Sequence, residues 1–285
     1  MSRNRERMGG VQQHDTNPPP QAMQNDGGGG FSFVVPTEFV ELPSEDKYYP
    51  EGHPLHRETS IEIRQMTAKE EDMLTSRTLL KKGVALDRVI ENLIVDKRID
   101  PRSLLIGDRN AIIIATRVAG YGNDYNTQIT CPSCREAQDY SFDLNKAKIH
   151  KGIDENTIDV INNGDGTFNI TLPRTEVVVT FRLLTGTDEK RLLDGVEADR
   201  KQKTHEKNVT RQIVNIAAAV NGDSSAEAIN YLVQNIPAID ARHLRMAYKL
   251  VAPNIDLTQE FVCSECDAEH QLEVPLNADF FWPDQ

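Results

Sequence analysis

The chain has 285 residues, 32 Lys+Arg against 44 Asp+Glu, and a net charge of −12. That length suits one large domain or two modest ones, with core enough to fold without disulfide staples. The acidic balance excludes the basic stripe of a nucleic-acid binder, runs such as Ala111 to Ala115 and Ile216 to Val220 are too short for a membrane span, and residues 1–30 lack the apolar stretch of a secretory signal.

In chain order, residues 1–30 carry Asn17-Pro18-Pro19-Pro20 and Gly27 to Gly30 with no aromatic side chain. Such a segment buries too little apolar area to offset its ordering entropy, so it reads as a disordered tail, either simply solvated or a tether for a partner. Order is expected from about Phe31 to Val35. Ile61-Glu62-Ile63-Arg64 alternates as a strand does, then Thr67 with Glu70 forms a capping-box pattern. Leu86, Val89, Ile90, Leu93 and Ile94 make one apolar stripe at helical spacing. Asp108 precedes a further helix as its expected N-cap, and Gly120 is the expected stop.

The second half repeats this order. Val179-Thr180-Phe181-Arg182 alternates, and Thr185 with Asp188 repeats the box at an offset of 118, with a shorter acid. Val209, Ile213, Ile216, Ala217 and Val220 form the second stripe, at an offset of 123. Asp240 is the matching N-cap at an offset of 132, and Pro253 the stop. An extra helix is expected over Ala226 to Ile236, boxed by Ser224 and Glu227. Offsets that only grow indicate loop insertions in a duplicated body. The long loop from Pro43 to Glu58 then answers the short turn Pro173-Arg174-Thr175. As the feature on one copy alone, it is the expected partner contact.

All four cysteines fall in two pairs, Cys131-Pro132-Ser133-Cys134 and Cys263-Ser264-Glu265-Cys266, again 132 apart. Each pair sits between two alternating runs, as a hairpin knuckle does. Two Cys-x-x-Cys knuckles complete a four-thiolate tetrahedral shell for one structural zinc, with no position left for water or substrate. The 128 residues between the pairs far exceed the ~15–20 of an ordinary zinc ribbon. The duplication supplies the missing reason, because a pseudo-twofold axis brings equivalent knuckles together. Knuckles often carry glycine after the second cysteine; here Arg135 and Asp267 stand there. Iron in the same cage stays open, whereas a reducing cytoplasm disfavours two disulfides.

No phosphate loop, dinucleotide fingerprint, nucleophile elbow or zinc-protease motif occurs in the sequence. Asn163-Gly164-Asp165-Gly166 reads as a hairpin turn. His53 and His56 are weak metal candidates with no further ligand near them in sequence, and His270 is a candidate to support the knuckle ion. The charged run Asp188 to Lys203 reads as a solvated helix face. Phe280-Phe281-Trp282-Pro283 either folds back on its own knuckle or anchors a partner.

Several segments taken together carry a family resemblance: Phe39-Val40-Glu41-Leu42-Pro43-Ser44, Tyr49-Pro50-Glu51-Gly52-His53-Pro54-Leu55-His56, Met66 to Asp72, Leu79 to Gly83, both cysteine pairs, and the terminal Phe-Phe-Trp-Pro. Over about residues 31–285 the chain resembles the baseplate protein family of T-even-like contractile-tail phages, described as hub subunits or hub-assembly proteins. The resemblance implies a virion protein of the tail baseplate, made in the host bacterial cytoplasm. It implies partners among other hub and tail proteins, including the tube initiator and the tape measure; composition gives no expectation of a nucleic-acid or membrane partner.

The expectation is therefore an α+β protein of two pseudo-repeated modules, 31–145 and 146–285, behind a tail over 1–30. Cys131, Cys134, Cys263 and Cys266 hold one structural Zn2+ between them. The expected role is a non-enzymatic baseplate subunit. A transient hub-assembly chaperone is the second reading. A metalloenzyme is the third, disfavoured by a closed thiolate shell.

Overall fold

The computed structural model describes residues 35–152, 159–202, 205, 207–274 and 278–281. The tail over 1–30 and the start at Phe31 to Val34 lie outside the described residues. The chain opens with strands β1 (Thr37–Glu41) and β2 (Ser60–Arg64), then helices α1 (Ala68–Thr75), α2 (Arg77–Lys81), α3 (Ala85–Leu93) and α4 (Ile106–Tyr121). Strands β3 (Asp124–Thr130), β4 (Ala137–Asp143), β5 (Lys148–His150), β6 (Val160–Asn162), β7 (Thr167–Thr171) and β8 (Val178–Arg182) follow. Then come α5 (Gly186–Gln202), α6 (Asn208–Ile216), β9 (Ala217–Val220), α7 (Ala226–Asn235), α8 (Ala238–Val251), β10 (Asn254–Asp256), β11 (Thr258–Val262) and β12 (Glu269–Glu273). The fold is mixed α+β, and the described residues form one four-stranded sheet, β6-β7-β8-β9, and four two-stranded ones.

Each half is pinned by the same kind of contacts. β1 pairs with β2, and β7 with β8, both antiparallel. The loop leaving β1 bonds the Leu42 N–H to the Thr59 carbonyl; the turn leaving β7 bonds the Leu172 N–H to the Val177 carbonyl, each at 2.9 Å. Glu70 accepts from the Thr67 N–H and hydroxyl and takes the Arg64 guanidinium at 2.6 and 3.1 Å. Asp188 does the same with Thr185 and Arg182, so the shorter acid still reaches its cap. Burial raises both carboxyls, and the arginine and threonine contacts outweigh it, holding each below its ordinary range. Where α3 ends, Ile94 bridges Ile63; where α6 ends, Ala217 pairs with Phe181.

Four expected boundaries are displaced. Asp108 and Asp240 are not N-caps: Leu105 and Pro237 hold those positions, and both acids sit buried in the first turn. Gly122, at φ 79°, ends α4 two residues beyond Gly120. Ser225 rather than Ser224 caps α7, accepting from the Ala228 N–H. The stripe from Val209 also divides. Ile213 and Ile216 are buried on α6, and Ala217 to Val220 leave the helix to become β9. Asn163 to Gly166 is the β6–β7 turn, as expected. Most of the charged run lies on α5, where Asp188 and Asp199 are nonetheless buried. One continuous apolar core runs from Val40 through α3, α4, β7, β8, α6 and α8 to Phe281. No described helix is long and apolar enough to cross a membrane.

Candidate metal centre

The alternating runs around the cysteines form two antiparallel ribbons, β3–β4 and β11–β12. At each tip the backbone closes in the same way. The Cys131 N–H bonds Glu136 O at 2.9 Å, and the Arg135 N–H bonds Cys131 O at 2.9 Å. In the second ribbon the Cys263 N–H bonds Ala268 O, and the Asp267 N–H bonds Cys263 O, both at 3.0 Å. This tight loop requires left-handed backbone after the second cysteine, and Arg135 (φ 65°) and Asp267 (φ 55°) adopt it without being glycine.

The tips meet. All four Sγ atoms lie within 4.8 Å of one another. Cys131 Sγ is 3.8 Å from Cys266 Sγ, and Cys134 Sγ is 3.7 Å from Cys263 Sγ. Four sulfurs each about 2.3 Å from a single ion stand about 3.8 Å apart at tetrahedral angles. The spacing and the all-sulfur donor set therefore fit a borderline or soft cation such as zinc or iron. The four thiols are free, Cys131 and Cys263 buried and Cys134 and Cys266 exposed. The Cys134 N–H, then the Ser133 N–H, stabilise charge on Cys131 and bring its thiol down to about 6. An ion held by all four has no open coordination position.

The surroundings repeat across the pair. Ser264 donates its N–H and hydroxyl to Gln138 Oε1, each at 3.1 Å. Ser133 Oγ lies 3.0 Å from His270 Nε2, so the expected supporting histidine contacts the facing knuckle's serine. Beneath them Tyr140 donates to Glu260 O at 2.7 Å and packs edge-on against Phe261. Gln259 bonds both the N–H and the carbonyl of Asp143. Gln138, Ser133 and Gln259 escape sequence reading; the only signal was a polar residue on the inward side of a knuckle ribbon for the glutamines and a serine at the knuckle tip for Ser133.

The histidine pair is elsewhere, bonded to its own loop and to Ser103. His53 contacts Ser103 at 2.9 Å, accepts from the Leu55 N–H and stacks on Tyr49; His56 contacts Tyr49 O at 2.8 Å. That loop, over 43–58, turns much of itself inward: Ser44, Tyr48, Tyr49 and Leu55 are buried, and Tyr48 lies against Phe168 of the second half. The terminal phenylalanines are buried, and Phe280 folds back onto the first half. Phe280 packs on Tyr125, and its carbonyl accepts from the buried Arg117 at 3.0 Å. Trp282 and Pro283 lie outside the described residues.

Neither a curated protein nor a solved structure matches the chain. Residues 35–282, which take in both halves and both cysteine knuckles, match the family model described as T4 bacteriophage base plate protein, and the chain belongs to that family.

Proposed function

We propose that this baseplate protein is a structural subunit of the hub region, built from two duplicated modules, 31–145 and 146–285, clamped by one zinc. Its partners are then other hub and tail proteins, with the tube initiator and tape measure as candidates. Family membership carries the baseplate role. The observation that carries the clamp is the reciprocal pairing of sulfurs, Cys131 with Cys266 and Cys134 with Cys263. Duplication is supported by the matched anchors: Ser44 N–H to Asp108 against Arg174 N–H to Asp240, and the Arg64–Glu70 pair against Arg182–Asp188. A closed thiolate shell suits a structural ion rather than a catalytic one.

Quantitative mass spectrometry of purified virions tests the role. A fixed, symmetry-compatible copy number per tail is expected. Abundance in infected-cell extract with absence from virions would overturn it in favour of an assembly chaperone.

A further inference from the structure

The chain's negative charge is unevenly placed. Residues 124–143 and 258–273, which form the knuckle ribbons, hold nine carboxylates and one arginine, a net of −8 within a chain of −12. On the outer face of β11–β12, Glu260, Val262, Glu269 and Glu273 are all exposed. Val262 stands opposite Glu269, with Glu260 diagonal to it. Like charges this close on one face weaken a ribbon. None of the three glutamates has an ion pair among the described residues.

The outer face of α8 has the complementary character. Ile239, Arg242, Met246 and Lys249 recur at helical spacing and are exposed, Ile239 by 60% and Met246 by 48%. The one carboxylate of α8, Asp240, is buried and faces the 173–175 turn. Neither Arg242 nor Lys249 has an ion pair among the described residues, and the charge of Lys249 reaches Asp256. Arg242 and Lys249 are about 10 Å apart along the helix. Glu269 and Glu273 are about 13 Å apart along their strand. Both faces stay open among the described residues of one chain, so neither covers the other.

We propose that the glutamate face of β11–β12 docks on the cationic, apolar face of α8 in a second copy of this chain, Val262 meeting Ile239 and Met246. This goes beyond the metal clamp and does not depend on which ion fills it. The faces are small beside the roughly 800 Å² per partner of a stable interface, so the association is weak and salt-sensitive.

The test is sedimentation velocity of the full chain at roughly 50 μM, the range where micromolar affinity shows, in roughly 50 mM and 500 mM salt. Reversible self-association is expected at low salt, weakened about tenfold or more at high salt. R242E/K249E and E260K/E269K are each expected to remain monomeric, while an equimolar mixture of the two associates. A wild-type chain that is monomeric at low salt, or variants that associate as wild type does, would overturn the proposal. Metal content and thermal melting of each variant separate lost docking from a lost knuckle. Should the ribbon variant misfold, M246D on the helix face gives the same reading.

Discussion

At the scale of single residues, the knuckles show how a backbone demand outlives the side chain that usually meets it. Arg135 and Asp267 hold left-handed torsions at equivalent places. The hydrogen bonds to Cys131 O and Cys263 O hold them there. Left-handed backbone costs an ordinary residue about 1–2 kcal/mol, less for aspartate, whose short side chain tolerates it. Glycine removes that strain but loses about 0.5–1 kcal/mol of chain entropy. Arg135→Gly is therefore expected to stabilise the protein by about 0.5–1 kcal/mol, and Asp267→Gly to change it little. Urea unfolding midpoints, with Arg135→Ala as the control for lost charge, decide the matter. A destabilised Arg135→Gly would mean the arginine side chain holds the tip. The sequence displayed these positions as departures from a knuckle pattern; only the torsions explain why a glycine belongs there.

At the scale of elements, the legible features were those with one physical cause. Alternation found β2 and β8, and the threonine–acid spacing found the starts of α1 and α5, because local geometry decides both. The end of α6 was not legible. Ala217 to Val220 continue an apolar stripe, and a short apolar run fits helix or strand alike until a neighbour such as β8 offers its hydrogen bonds. Asp108 and Asp240 misled for a related reason. An acid in a first turn resembles a cap, yet each carboxylate reaches back to the loop before β2 or β8. Asp240 accepts two backbone N–H groups and a hydroxyl, from Arg174 and Thr175. Asp108 accepts the Ser44 N–H and, at 2.6 Å, the Tyr49 hydroxyl. An asparagine keeps one accepting oxygen. At position 108 the tyrosine hydroxyl can turn and accept from the new amide, but the N–H groups facing position 240 cannot. Asp240→Asn is thus expected to cost about 2–3 kcal/mol and Asp108→Asn about 1 kcal/mol. Equal losses in denaturant titrations would refute this account of the two anchors.

At the scale of the whole molecule, the gathering of the four cysteines was readable across 128 residues because the chain has only four, in two pairs 132 apart. The closure of the C-terminal segment was not readable. Arg117 sits buried within the apolar run of α4, where its guanidinium bonds the carbonyls of Gly122, Asp124 and Phe280. A charge inside a helical stripe gives no sign of such distant partners. The two halves share a core, the Phe280 anchor, backbone bonds such as Gly186 N–H to Leu104 O, and the cysteine tips. If one ion joins the tips, the four sulfurs act as a unit, and removing one empties the site as fully as removing two. Cys131→Ser and Cys263→Ser are each expected to cost about 4 kcal/mol or more, as loss of a structural metal does. The double variant should cost no more than either alone, which in a mutant cycle is a coupling as large as a single loss. Chelation should lower the wild-type melting temperature to that of the variants and leave the variants unmoved. Additive losses would mean that each cysteine packs independently, and the clamp between the halves would have to be abandoned.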